Sequence, residues 1–498
     1  MNSTAEWISR SVSRLRAAAP VADKEGAKGA EKLARASTDK SGVTDVVPKV
    51  AAPRSTHERL QATLRRGQEA LSPRALRRLH TDLQAVVAPQ VSEIEGGRRA
   101  QAVADWYAKA EPEERRDMWL LMSEQFVLDP VVVGKAQAKY AAAVGTPDEA
   151  AAEVHYRRAT VSPRRRLLQR FSAFPDGVQF LVRLRADMLP YLKADKRLQA
   201  LDVEMEYMFS TWFDVGFLEL RRISWDSPAS LIEKLIQYEA VHDIKSWADV
   251  KNRLDSDRRC YGFFHPRMPG EPLIFVEVAL VDSMADSITP LLDESADAAD
   301  LNKATTAIFY SISNTQVGLR GVSFGDSLIK HVVETLQAEF PRLRMFATLS
   351  PIPGFRAWLG KNAAPLLERL DDKTRAELGR AVGFEPVTAT HLLAAMEKPL
   401  ELDAKSPVRQ VLVQYAAHYL GRELANGKPL DAVARFHLGN GARVERLNWG
   451  GDPSVKGVKQ SYGVMVNYLY DLKRLDKHRA LLVQGKIPMS GELDSLQF

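Results

Sequence analysis

Three glycines, Gly318, Gly321 and Gly325, punctuate the stretch 316–325, and each permits backbone conformations that a Cβ would forbid. A tight loop of this kind, opening a helix, turns its amides toward one point at the positive end of the helix dipole, which suits a phosphate or pyrophosphate. Gln316, Gly318, Leu319, Arg320, Gly321, Val322, Ser323, Phe324 and Gly325 thus form a candidate anion cradle. Arg320 adds a cation there, although a solvated loop residue is the plainer reading. Elsewhere, His437 stands among apolar neighbours, where spacing alone reads as a satisfied structural histidine. Cys260 is the only cysteine, so no intrachain disulfide or cysteine-rich zinc site can form. It reads as a small buried apolar side chain. The sequence holds neither a GxxxxGK[ST] loop nor an HExxH helix, and the glycines around Arg320 do not make a dinucleotide fingerprint.

The elements that must position the loop are legible around it. Residues 306–313 alternate Ile308, Tyr310 and Ile312 against Phe309, Ser311 and Ser313, the period of a half-buried strand. After the loop, Leu328, Ile329, Val332, Val333, Leu336 and Phe340 share a helical face that Pro341 ends, and residues 343–349 form a second strand. Upstream, residues 57–201 are helical in texture, with Ser72–Pro73 supplying a cap and a first-turn proline. Arg164, Arg165 and Arg166 read as a charged helix face rather than an anion patch. Near Phe209 aromatic and β-branched residues take over, and 273–281 is a strand candidate. Helices are expected over 228–240, 376–383 and 407–421. The segments around Phe436 and Tyr468 have alternating, aromatic-rich character. The expected organisation is a flexible leader at 1–55, a helical domain at 56–207 and a mixed α/β domain at 208–498.

Composition bounds the function classes. With 498 residues, 45% hydrophobic and 27% charged, the chain is an ordinary globular protein long enough for two domains. A net charge of +6 is mild, with basic and acidic residues interspersed, which gives no nucleic-acid footprint. No apolar run is long enough to span a membrane. The Ser/Arg-rich first twenty residues resemble a mitochondrial transit peptide, against the preferred reading of a bacterial-type extension in a cytoplasmic protein. The terminal Leu496-Gln497-Phe498 does not match the S-K-L peroxisomal address.

The strand, glycine loop, helix and strand are similar to the acyl-CoA core of the GNAT (N-acetyltransferase) fold. Longer stretches are more specific. Trp212-Phe213, Glu239-Ala240-Val241-His242, Arg258-Arg259-Cys260-Tyr261, Phe309-Tyr310-Ser311-Ile312-Ser313, Leu349-Ser350-Pro351-Ile352-Pro353-Gly354-Phe355, Phe436-His437-Leu438 and Gly463-Val464-Met465-Val466-Asn467-Tyr468 together resemble the malonyl-CoA decarboxylase family over residues 60–490. The resemblance implies an α+β protein: an all-helical N-terminal domain that assists homo-oligomerisation, as dimer or tetramer, and a catalytic domain of GNAT-like fold. It implies conversion of malonyl-CoA to acetyl-CoA and carbon dioxide with no metal or organic cofactor, coenzyme A being part of the substrate. An acyl-CoA N-acyltransferase and a noncatalytic acyl-CoA-binding protein are the alternatives. His437 matches the family's catalytic histidine, and its ordinary titration range suits a general acid near neutral pH. The family's hydroxyl residue falls in Ala347-Thr348-Leu349-Ser350, where Thr348 is the assignment and Ser350 the fallback. Asn467 and Tyr468 are expected to orient substrate or His437, or to make buried structural hydrogen bonds.

Overall fold

The structure is a computed structural model that describes residues 70–322, 324 and 328–496. The transit-peptide and leader readings, and Ser323 and Gly325 of the loop, lie outside the described residues. Among the described residues, eight α-helices come first: Pro73–Val86 (α1), Glu93–Lys109 (α2), Pro112–Gln125 (α3), Pro130–Ala143 (α4), Glu149–Ala159 (α5), Pro163–Phe171 (α6), Gly177–Met188 (α7) and Gln199–Trp212 (α8). Their starts follow the local chemistry. Ser72 Oγ accepts from the Ala75 amide ahead of Pro73, and Ser92 and Asp129 cap α2 and α4 in the same way. Two arginines of the run are committed to the fold, Arg164 donating to the Ser123 carbonyl and Arg165 pairing with Glu204, while Arg166 is exposed.

After α8 the chain enters an eight-stranded sheet. Its elements are Glu219–Ile223 (β1), Ala229–Tyr238 (α9), Trp247–Arg253 (α10), Arg258–Phe264 (β2), Pro272–Val281 (β3), Thr306–Asn314 (β4), Leu328–Glu339 (α11), Met345–Thr348 (β5) and Ser350–Pro351 (β6). Four helices follow, Phe355–Arg369 (α12), Asp372–Val382 (α13), Ala389–Ala395 (α14) and Pro407–Arg422 (α15), then a small hairpin of Leu424–Ala425 (β7) and Lys428–Pro429 (β8). The last elements are Ala432–Gly439 (α16), Arg443–Asn448 (β9), Val455–Ser461 (α17), Met465–Leu469 (β10), Leu475–Val483 (α18) and Gly491–Ser495 (α19). The strand order is β1-β2-β3-β4-β5-β10-β6, with β9 also on β10. Only β4 and β5 run parallel; the other pairings are antiparallel. The fold is therefore α+β, a helical region followed by a mixed sheet. One continuous core joins the two, running from Leu83 and Trp119 through Phe209 and Phe213 to Val276, Phe309 and Leu336.

Three local features depart from simple periodicity. In β4, Phe309 pairs with Val278 and Ser311 with Glu277, so Tyr310 is an unpaired bulge residue. The bulge switches faces: Phe309 and Ile312 pack in the main core while Ile308 and Tyr310 pack in a second cluster on the other face. The expected strand 343–349 is shorter and broken. It begins at Met345, and Leu349 interrupts it, so β5 and β6 are two pieces bridged by β10 through Ala347–Leu469 and Ser350–Val466 pairings. Finally, the segment around Phe436 is the helix α16 rather than an alternating strand. Asp431 accepts from the Val433 and Ala434 amides at 2.9 Å and turns the chain into that helix.

Candidate active site

The break in the β5–β6 strand carries the site. Thr348 and Ser350 flank Leu349 and so share one face, and α16 lays His437 over them. His437 Nε2 lies 3.2 Å from Ser350 Oγ, and the Ser350 hydroxyl donates to Thr348 Oγ1 at 2.9 Å. The other ring nitrogen, Nδ1, lies 2.8 Å from the Tyr470 hydroxyl. With the serine proton spent on Thr348, the hydrogen between Ser350 and His437 sits on Nε2, and Tyr470 donates to Nδ1. The result is one directed chain of four side chains, Tyr470 to His437 to Ser350 to Thr348. All are buried: Thr348 is 0%, His437 3% and Ser350 5% exposed.

Burial governs the charge of this group. Desolvation pushes the His437 imidazolium down to about 3, so the ring is neutral across physiological pH. This departs from the expectation of an acid titrating near neutrality; among the described residues no carboxylate offsets the ring's loss of water. The same burial raises the Tyr470 phenol far above its ordinary value and keeps it a donor.

Strand β10 backs the group. The Tyr468 ring stacks on His437 with centroids 4.7 Å apart, and the Tyr468 amide donates to Thr348 Oγ1 at 3.1 Å. Asn467 points the other way. Its amide donates to the carbonyls of Thr348 and Ala285, and its oxygen accepts from Arg446 and Asn448, so all four of its hydrogen-bonding capacities are taken up by protein. Tyr470 is the member of the site that the sequence reading missed. The signal was present, since Tyr468-Leu469-Tyr470 at strand period puts both rings on one face.

The glycine loop forms a separate group at the far end of β4. Gln316 is tied back to the Pro272 carbonyl, Leu319 and Val322 are buried, and Phe324 packs partly against the core while its carbonyl accepts from Val215. The side chains of these residues face the fold, leaving backbone and the exposed Val317, Arg320 and Gly321 on the outside. The amides of Leu319, Arg320 and Val322 are spent on the carbonyls of Gln316, Val317 and Leu319. Two glycines have different causes. Gly321 has φ +83°, whereas a Cβ at Gly318 would stand 1.9 Å from the Val182 carbonyl oxygen of α7. Phe309, whose ring lies 6.2 Å from that of Tyr470, and Asn314, beside the loop, are on the same strand. At about 3.3 Å per residue they are roughly 17 Å apart. Cys260 is buried, which pushes its thiol up and away from reactivity. His265 packs against the Phe213 ring and accepts from the Arg267 amide. Among the described residues no group of three or more His, Cys, Asp or Glu side chains is arranged to hold a metal.

A hydroxyl–imidazole group set in a broken sheet strand, with a glycine loop at the end of the adjacent parallel strand, defines the class: an α+β protein with a helical region packed against a mixed sheet. Family models described as the malonyl-CoA decarboxylase N-terminal domain and the malonyl-CoA decarboxylase C-terminal domain match residues 126–213 and 216–497. The chain belongs to the malonyl-CoA decarboxylase family. It is 36% identical over 400 residues to the Rattus norvegicus protein named "Malonyl-CoA decarboxylase, mitochondrial", spanning 76% of this chain and 80% of that one. With the Anser anser anser protein of the same name it shares 38% over 339 residues, 63% of this chain and 65% of the relative, so this alignment spans just under two thirds of that protein. The crystal structure of malonyl-CoA decarboxylase from Cupriavidus metallidurans, 44% identical, superposes with a TM-score of 0.69 over 85% of this chain and 100% of its own.

Proposed function

We propose that the chain decarboxylates malonyl-CoA to acetyl-CoA and carbon dioxide, with Ser350 and His437 as the groups that meet the reacting thioester. The observation that carries this reading is the 3.2 Å contact of His437 Nε2 with Ser350 Oγ at the strand break. Cleavage of the C2–carboxylate bond releases carbon dioxide and leaves its electron pair delocalised over C2 and the thioester oxygen. Donors fixed in a dry site stabilise that oxyanion where the charge develops, without reorganising. Carbon C2 then takes a proton. A thioester enolate is more basic than an alkoxide or an imidazolate, so Ser350 can deliver the proton to C2 and His437 Nε2–H can refill the serine, the ring passing through imidazolate until it takes a proton from solvent. One proton from solvent restores the pair, and the reaction consumes one proton overall.

Thr348 holds the Ser350 hydroxyl, Tyr470 and Tyr468 hold the imidazole, and Asn467 holds the strand break. The loop at 316–325 takes the pyrophosphate through its Gly321 amide, the Leu319, Arg320 and Val322 amides being spent inside the turn. The roughly 17 Å along β4 between the two groups, at about 3.3 Å per residue, matches an extended pantetheine arm. No metal or organic cofactor enters the scheme, and homo-oligomerisation through the helical domain at 56–207, beside a catalytic domain at 208–498, belongs to the same proposal. No helix among the described residues is long and apolar enough to cross a membrane; a cytoplasmic or mitochondrial-matrix location completes the reading.

The test is to incubate the purified protein with malonyl-CoA and no amine acceptor, and to follow acetyl-CoA and carbon dioxide together. Ser350→Ala and His437→Ala should each lower kcat by a factor of about 10² to 10⁴, the usual contribution of a positioned proton donor, while retaining coenzyme A binding. Tight binding by the wild-type protein with no decarboxylation would overturn the proposal, and product formation only when an amine is supplied would identify an acyltransferase instead.

A further inference from the structure

One buried side chain of the helical region reaches the glycine loop. Arg185, on α7, is 2% exposed, and its Nη1 donates to the carbonyls of Gly318 at 2.8 Å and Arg320 at 2.9 Å. Its Nε is anchored by Asp202 of α8, also at 2.8 Å. The guanidinium is a planar fork held by three hydrogen bonds, which makes it a rigid template rather than a mobile charge. With its charge matched by Asp202, its effect on the loop is one of shape.

That shape has a direction. A peptide unit is planar, with its C=O and N–H antiparallel, so drawing the Arg320 carbonyl inward onto Arg185 turns the Gly321 N–H outward. Gly321 is exposed, and no acceptor among the described residues takes its N–H. The neighbouring amides of Leu319, Arg320 and Val322 are already spent inside the turn. Gly318 completes the seat: its missing Cβ lets the loop settle against the Val182 carbonyl, one turn before Arg185 on the same helix. The helical region therefore sets which amide the loop presents and where.

We infer that Arg185 is a positioning residue for the nucleotide end of the acyl-CoA substrate, acting through the Gly321 amide, so that the helical region forms part of the substrate site although it touches no reacting atom. This rests on the assignment of the loop to the pyrophosphate in the proposed function. It is separable from the chemistry at Ser350 and His437, because a thioester lacking the nucleotide does not use the loop.

The experiment compares malonyl-CoA with malonyl-N-acetylcysteamine, which keeps the malonyl thioester and omits pyrophosphate and adenosine. Arg185→Lys keeps a cation beside Asp202 but loses the planar fork that fixes Nε on Asp202 and Nη1 on the two carbonyls at once. It should raise KM for malonyl-CoA on the order of tenfold, the effect of losing one hydrogen bond to a charged group, with kcat retained and kcat/KM for the short thioester unchanged. Asp202→Asn, which leaves the arginine but loosens its anchor, should move KM in the same direction by less. Coenzyme A affinity by titration calorimetry should fall with the KM effect in each variant. Equal losses on both thioesters, or unchanged coenzyme A affinity in Arg185→Lys, would overturn the inference. Should the wild-type protein turn over neither thioester, the decarboxylase reading fails while the calorimetric comparison still decides the role of Arg185.

Discussion

At the scale of single residues, the hydrogen-bonded order of the site separates roles that a shared hydroxyl chemistry leaves merged. Thr348 and Ser350 both carry a hydroxyl on one face, but only Ser350 touches the imidazole; Thr348 accepts from Ser350 and from the Tyr468 amide. Thr348→Val keeps the shape and removes that acceptor, leaving a buried N–H and a buried hydroxyl without their partner. The expected cost is about 1–3 kcal/mol of stability, read by urea denaturation, with a fall in kcat; Thr348→Ser should restore both. If Thr348→Val kept full activity, its place in the chain would be incidental. Tyr470→Phe deletes only the donor to His437 Nδ1. It should lower kcat by roughly tenfold, as expected for a net loss near 1.5 kcal/mol, with the dissociation constant for coenzyme A unchanged. A parallel loss of coenzyme A affinity would mean that Tyr470 supports the fold of the pocket rather than the ring.

At the scale of elements, the short helix α16 decides whether His437 is in place. A helix of one or two turns is not stable alone, and this one starts because Asp431, nearly buried, accepts from two of its first amides and from the Tyr419 hydroxyl of α15. Asp431→Ala is expected to cost about 0.5–2 kcal/mol as a lost cap and to reduce kcat more than coenzyme A binding; Asp431→Asn, which still caps, should retain most of both. Full activity in Asp431→Ala would show that packing alone holds the helix. The same elements show what the sequence makes legible. Helix α11 and strands β3 and β4 follow from apolar spacing near Leu328, Leu273 and Ile308, and Ser72–Pro73 marks a helix start, because these signals are local. The Tyr310 bulge and the Leu349 break depend on which neighbour each strand pairs with, and α16 depends on a cap inside a segment of alternating texture. The Ser350–His437 contact joins residues 87 apart; no spacing rule carries that distance, and only the family resemblance singled out His437 beforehand. The neutrality of His437 was hidden for the same reason, since it follows from tertiary burial.

At the scale of the whole molecule, two sets of buried groups push stability in opposite directions with pH. Burial lowers His80, His242, His265, His418, His437 and His478 below the usual histidine range, His242 to about 4 and His437 to about 3. The unfolded chain therefore binds protons first, and stability is lost as pH falls below about 6.5. Glu277 does the reverse. It lies at 0% exposure on β3, beside Arg253 of α10, Glu239, Tyr310 and Cys260, and desolvation reinforced by Glu239 lifts its carboxyl to about 8 despite the 2.9 Å contact with Arg253. The folded protein then holds a proton that the unfolded chain gives up near 4.5, so this contribution is lost as pH rises from there through about 8. Together they put the maximum above pH 6.5, and at pH 6 Glu277 holds its proton. Because Glu277 is protonated at that pH, glutamine is its isostere, and Glu277→Gln should leave stability at pH 6 nearly unchanged while removing the decline of the wild-type protein toward pH 8. Urea midpoints at pH 5, 6, 7 and 8 test this. A loss of about 3–5 kcal/mol at every pH, the cost of breaking a buried ion pair, would mean instead that Glu277 is ionised and that the Arg253 contact outweighs the desolvation of the carboxylate.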